Sequence, residues 1–121
     1  MGRVLAVDDA NETLLILRKT LALMGHEVQT ASDPLQALAL LASQRYDLVF
    51  LDIMMPKMDG LEICRRIRQG GPNSNTKVVI FSAKAERDLI ELARSFGADF
   101  YLGKPANISK IQEVTRRMIG G

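Results

Sequence analysis

The chain is predicted to fold as an α/β domain, a five-stranded parallel sheet in the order 2-1-3-4-5 doubly wound by five helices. Three observations predict it. Short apolar runs and amphipathic segments alternate strictly, five of each, which is the pattern of a parallel sheet covered by helices through right-handed crossovers. The runs Val4-Leu5-Ala6-Val7, Leu48-Val49-Phe50-Leu51 and Val78-Val79-Ile80-Phe81 are apolar at every position, as strands buried on both faces must be. Four runs stop on polar residues: Asp8-Asp9, Asp52, Ser82 and, after Phe100-Tyr101-Leu102, Gly103-Lys104-Pro105. Parallel strands bring these groups to one end of the sheet, and Asp8, Asp9 and Asp52 end strands one and three, the switch point where such sheets hold ligands.

Each element has a local reason. Arg3 to Val7 is the first strand, and Asn11 to Met24 a helix with Leu14, Leu17, Leu21 and Met24 at helical spacing, stopped by Gly25. Glu27 to Ala31 reads as an edge strand. Asp33-Pro34 supplies an N-cap and a proline at the first helical position for a helix carried by Leu35, Leu38 and Leu41. Asp47 to Leu51 is the third strand. Pro56 and Gly60 bracket a turn into a helix on Leu61, Cys64 and Ile67, which ends at Gln69-Gly70-Gly71-Pro72-Asn73. Lys77 to Phe81 is strand four, and Leu89, Leu92, Ala93 and Phe96 give the fourth helix its apolar stripe before Gly97. Ala98 to Leu102 is strand five. Asn107 to Ile119 is the last helix, on Ile108, Ile111, Thr115 and Met118, with Arg116 and Arg117 suited to its C-terminal dipole.

With 121 residues, residues 1–121 make one domain with a real core. Apolar residues are 47% and charged residues 25%, ordinary soluble composition; no stretch approaches a membrane span, and Met1-Gly2-Arg3 has no signal-peptide pattern, so a cytoplasmic location is expected. A single Cys64 forbids an internal disulfide and reads as a small core residue. His26, the only histidine, lacks the partners of a zinc site or a triad and is given no role beyond its turn. A net charge of +2 argues against direct nucleic-acid binding, and Arg65, Arg66 and Arg68 read as a solvated helix face.

Three carboxylates in one pocket repel unless cations share it. Lys104 supplies one charge, and a hard divalent ion, Mg2+, suits the remaining oxygen ligands, since no Cys or His stands nearby. Flanked so, Asp52 is a nucleophile toward phosphorus, and the metal, Lys104 and the Ser82 hydroxyl each take one oxygen of the transferred group. Taken singly, Asp8 or Asp9 could cap the first helix, Asp59 the third and Ser82 the fourth. Asp59 is left as a cap. Met54, Met55 and Met58 read as loop packing.

Asp8-Asp9, the segment Asp52-Ile53-Met54-Met55-Pro56-Lys57-Met58-Asp59-Gly60, Ser82-Ala83 and Tyr101-Leu102-Gly103-Lys104-Pro105 together resemble the receiver domain of two-component response regulators, the CheY-like branch of flavodoxin-like folds. The resemblance implies that Asp52 is the phosphoacceptor. It implies Mg2+ on Asp9, Asp52 and the Met54 backbone carbonyl, with Asp8 acting largely through water. Lys104 would pair with Asp52 and then with the phosphoryl group; Ser82 would move to bond a phosphoryl oxygen, and Tyr101 would swing into the vacated space as the switch aromatic. The Lys104-Pro105 peptide would be cis. The donor would be a sensor histidine kinase or a histidine phosphotransfer protein. The output would pass to a downstream domain or effector through the fourth helix, fifth strand and fifth helix, about Ala85 to Ile119, with a phosphorylation-dependent dimer among the assemblies implied. Catalysis would be limited to the domain's own phosphotransfer and autodephosphorylation.

Met54 and Lys84 occupy the two positions that tune dephosphorylation in this family, and an apolar Met54 implies slow loss of phosphate. Ala106 and Asp99-Phe100 depart from the DNA-binding branch, whose charged dimer face the resemblance therefore does not extend to; Phe100 is expected to pack inward. Other classes fit less well. A haloacid-dehalogenase phosphatase would place its Asp-x-Asp at the first strand, and a flavodoxin-like electron carrier would want hydroxyls where Asp8-Asp9-Ala10-Asn11-Glu12 stands. The nearest alternative is a receiver-like interaction module that works without phosphorylation. Whether the chain stands alone or is part of a longer protein is left open.

Overall fold

The computed structural model describes residues 2–84 and 86–120; Met1, Ala85 and Gly121, at the limits of the expected domain and output face, lie outside the described residues. The strands are β1 (Arg3–Val7), β2 (Glu27–Ala31), β3 (Leu48–Leu51), β4 (Lys77–Ser82) and β5 (Phe100–Gly103). The helices are α1 (Asn11–Leu23), α2 (Pro34–Ser43), α3 (Gly60–Arg68), α4 (Arg87–Ser95) and α5 (Ile108–Ile119). All strands pair in parallel in the order β2-β1-β3-β4-β5.

Strand alternation divides the core in two. Leu5, Val7, Val49, Leu51, Val78 and Ile80 face the layer of α2, α3 and α4, where they meet Leu41, Ile63, Cys64 and Ala93. Val4, Ala6, Leu48, Phe50, Val79 and Phe81 face the other layer, packing on Leu14, Leu17 and Leu21 of α1 and Ile111 and Val114 of α5. Cys64 is a core residue: it is buried, its thiol donates to the Phe96 carbonyl at 3.3 Å, and burial pushes its pKa up to about 11. Phe100 packs inward against the α1/α5 layer, its ring 5.5 Å from the Arg117 guanidinium.

Several expectations need correction. β3 begins one residue later than expected, β4 extends to Ser82, and β5 runs from Phe100 to Gly103, because Asp99 is occupied in accepting the Val78 amide. α1 ends at Leu23, with Met24 as its C-cap. Leu35, Leu92 and Ile108, expected on apolar stripes, are 59%, 44% and 58% exposed. Their buried lines keep the expected Leu41 in α2, Ala93 in α4, and Ile111 and Thr115 in α5, and add Pro34 and Ala37 in α2 and Val114 in α5.

The basic cluster on α3 also splits. Arg65 and Arg66 pair with Glu62 on the outer face. Arg68 is no solvated side chain: it donates to the carbonyls of Gly97 (3.0 and 2.8 Å), Ser74 (3.1 Å) and Thr76 (2.6 Å) and to Asp99 (2.9 Å). It therefore closes two loops at once. Gly97, at φ +100°, ends α4 against this arginine, where a Cβ would sit 2.7 Å from Arg68 Cγ. His26, given no role, is buried; its Nδ1 accepts the Gly2 amide at 2.9 Å and its Nε2 has no partner.

Candidate phosphoryl-transfer site

Backbone hydrogen bonds continue one residue past the strands and thereby fix the polar residues that follow them. The Asp8 amide donates to Ala31 O (3.1 Å), the Asp52 amide to Val7 O (3.0 Å) and the Lys104 amide to Ser82 O (2.8 Å). Each group starts from a rigid point, so the side chains converge without needing a long loop.

Ligand oxygens of Asp8, Asp9 and Asp52 come within 4.8 Å of one another. Asp8 and Asp52 are buried, whereas Asp9 is exposed. Asp8 does not cap α1, whose N-cap is Ala10 without a side-chain bond; its Oδ1 accepts the Ala10 amide at 2.9 Å and its Oδ2 accepts Lys104 Nζ at 2.7 Å. Lys104 Nζ lies 3.7 Å from Asp52 Oδ2, so in this state the ammonium is bonded to Asp8 and only near Asp52. The Lys104–Pro105 peptide is cis.

Asp52 Oδ1 accepts the Met54 amide at 3.3 Å. Burial and then the neighbouring Asp8 carboxylate raise the Asp52 pKa, against the opposing pull of Lys104, the Met54 amide and the Ser82 hydroxyl. One ammonium does not neutralise three acids. The donor set, all hard oxygens under mutual repulsion, fits Mg2+.

Ser82 is fully buried, and its Oγ accepts the Lys84 amide at 3.3 Å rather than capping α4, whose N-cap is Glu86. The Tyr101 hydroxyl donates to the Lys84 carbonyl, and burial pushes its phenol pKa up. Ser82 and Tyr101 thus hold the two ends of one residue in the β4–α4 loop. Met54 is half exposed beside Asp52, and Asp59 caps α3 by accepting the Glu62 amide at 2.9 Å.

Three contributors were not singled out from sequence. Gly60 sits so close beneath Asp52 that a Cβ would lie 2.1 Å from the Asp52 carbonyl oxygen. Lys57, at φ +74°, pairs with Asp33 at 3.3 Å and ties the loop after Asp52 to the start of α2. Phe81 places its ring 5.4 Å from Lys104 Nζ. Of these only Gly60 left a trace, as a turn bracket; the other two are contacts across 24 and 23 positions of sequence.

A parallel sheet in the order 2-1-3-4-5 with an acid and lysine pocket at its carboxyl end defines the CheY-like class of flavodoxin-like folds. Within it, the chain belongs to the response regulator receiver domain family, whose model matches residues 4–116. It is therefore a receiver domain of two-component signalling. It is 35% identical to the response regulator MprA of Mycobacterium sp. strain KMS and 34% identical to that of Mycobacterium tuberculosis strain H37Rv, over 97% of this chain and 50% of each relative. The chain spans about half the length of these curated relatives. Among solved structures, the Vibrio cholerae chemotaxis protein CheY4 matches with a TM-score of 0.92 and 30% identity over 98% of both chains. The receiver domain of the Pseudomonas aeruginosa sensor histidine kinase PA1611, with magnesium coordinated in its active-site cleft, matches with a TM-score of 0.89 and 27% identity over 99% of this chain and 98% of that one.

Proposed function

We propose that this receiver accepts a phosphoryl group on Asp52 and uses it to change its output face. The observation that carries the reading is the pocket itself: three carboxylates within 4.8 Å, with Lys104 at 2.7 Å from Asp8 and 3.7 Å from Asp52, at the switch point of the sheet. Asp9, Asp52 and the Met54 carbonyl would hold Mg2+ directly, and Asp8, already engaged by Lys104, would act through water. The ion supplies charge neutralisation for the phosphoryl oxygens.

An Asp52 carboxylate oxygen forms the new bond to phosphorus while the bond to the donor breaks, its electron pair leaving with the donor. For a histidine kinase or phosphotransfer protein that donor atom is an imidazole nitrogen. Lys104 then exchanges part of its contact with Asp8 for a phosphoryl oxygen, and Ser82 gives up the Lys84 amide to bond another. Once that amide is free, the loop that Tyr101 anchors can repack. The change would spread over α4, β5 and α5, the face offered to an output domain, an effector or a second receiver. The reaction would take place in the cytoplasm, and the domain catalyses nothing beyond its own phosphotransfer and dephosphorylation.

Incubation with Mg2+ and acetyl phosphate is expected to add one phosphoryl group, read by intact mass, and Asp52→Asn, checked for an undiminished melting point, to abolish it. Labelling that persists in the folded variant refutes the assignment. Failure of the parent to be labelled favours an interaction module that works without phosphorylation. Met54 and Lys84 flank the approach of water to the acyl phosphate, and the apolar Met54 slows its hydrolysis. Met54→Asn should lose phosphate several-fold faster, and an unchanged half-life would exclude this role.

A further inference from the structure

We propose that Phe81 is a positioning residue for Lys104, its ring face holding the ammonium between Asp8 and Asp52; the consequence for rate rests on the phosphotransfer reading above. Phe81 immediately precedes Ser82, and strand alternation turns its ring to the α1/α5 side of the sheet. The ring is 5% exposed and lies 5.4 Å from Nζ, within cation–π range. Phe50 packs against it in a T-shaped pair, with centroids 6.4 Å apart and planes at 69°.

Lys104 needs such a support because its stem is flexible and one side of it is open. A cleft of about 390 Å3, lined by Ile16, Ala83, Pro105 and Ile111 among others, adjoins both Lys104 and Phe81. An ammonium held by Asp8 alone, at 2.7 Å, would keep one strong contact while its stem sampled that cleft. The aromatic face adds a third contact that carries no formal charge. It therefore does not worsen the repulsion among the acids, and it consumes none of the three N–H donors. It also has no fixed direction, so the ammonium can pivot from Asp8 toward Asp52 while staying on the ring.

Fluorination tests this without changing the packing much. Replacing Phe81 by 4-fluoro-, 3,5-difluoro- and pentafluorophenylalanine drains the ring face stepwise at nearly constant shape. In the resting protein, the Lys104 ε-methylene resonance should lie upfield of the other lysines. It should move toward their averaged position step by step along the series, and fully in Phe81→Leu. The initial rate of labelling by acetyl phosphate with Mg2+ should fall in the same order, to about 2- to 5-fold below the parent, while melting points stay close together. A Lys104 resonance that is not upfield in the parent, or that does not respond to fluorination, overturns the proposal. So does a rate that follows melting point instead of ring electronics. Should the parent not be labelled at all, the phosphotransfer reading fails, while the resonance series still decides whether Phe81 holds Lys104.

Discussion

Replacing Gly60 with alanine should destabilise the domain and displace Asp52. The added Cβ would lie 2.1 Å from the Asp52 carbonyl oxygen, 2.9 Å from its carbonyl carbon and 3.3 Å from Ile53 Cα. All three are backbone atoms, so no rotamer change relieves the clash. Ordinary contact requires the start of α3 to retreat from the end of β3 by about 1 Å or more. That movement stretches the Gly60 amide bond to the Ile53 carbonyl, now 3.1 Å. Overpacking costs about 1–3 kcal/mol and the weakened bond about 1 kcal/mol more. Alanine's better helix propensity returns at most about 1 kcal/mol, so the clash wins. At roughly 3–6 °C per kcal/mol for a domain of this size, the melting point should fall by roughly 10 °C. Circular dichroism melts measure this directly. Labelling by acetyl phosphate well below the transition should also be slowed, because the clash falls on the backbone of Asp52. A Gly60→Ala variant melting within about 3 °C of the parent would refute the close-approach argument.

Three further outcomes follow from the electrostatics. Without divalent ions, Asp52→Asn should be more stable than the parent at pH 7, because the native Asp52 pKa is raised above its ordinary 3.8 by burial and by Asp8. The penalty on the parent is complete above the folded pKa and absent below the unfolded one, so the advantage seen in urea midpoints should shrink as pH falls toward 4; an advantage that grows on acidification contradicts it. Arg68→Met should lose roughly 2–4 kcal/mol in urea unfolding, because several loop carbonyls lose a charged donor; a loss under about 1 kcal/mol would show that water replaces the clamp. Burial lowers the His26 pKa, so the native state holds it neutral while the unfolded chain gains a proton below 6.5. Stability should therefore fall as pH drops from 7 to 5, and His26→Gln, whose amide oxygen can accept the Gly2 amide, should flatten that slope; equal slopes would count against the linkage.

The topology was legible because the central strands are apolar on both faces and their ends are polar, two signals that depend only on sequence order. The convergence of Asp8, Asp9, Asp52, Ser82 and Lys104 follows from the same order. What stayed hidden depends on packing. The apolar period of α4 identifies a face but not how much of it β5, at the sheet edge, can cover, and Leu92 is left outside. Arg68 belongs to a run of arginines that reads as solvated, and nothing local announces that carbonyls from residues 74, 76 and 97 converge on it. Lys104 bonds Asp8 more closely than Asp52 because Asp8 is held by the Ala10 amide in an orientation that presents its second oxygen.

The two ends of the sheet are built on opposite principles. At the amino end, polar groups are paired almost without remainder. The Asn73 side chain accepts the Tyr46 amide at 2.7 Å and donates to the carbonyls of Leu41 and Gln44, both at 2.6 Å. Thr76 Oγ1 reaches the Tyr46 carbonyl at 2.8 Å, and Asp47 accepts the Arg3 amide at 2.8 Å. Only His26 Nε2 is left without a partner there among the described residues. At the carboxyl end, three carboxylates cluster beside one ammonium that reaches Asp8 and Asp52, and burial and Asp8 disfavour the charged form of Asp52. A fully paired cluster resists rearrangement, because every shift breaks a bond without making another. An under-compensated cluster gains from any arriving cation, and Lys104 and Ser82 each have a present partner they can exchange for a new one. The rigid end keeps the strand register fixed, so under the proposed function an exchange of partners at the other end would move side chains and the β4–α4 loop while leaving the sheet in place.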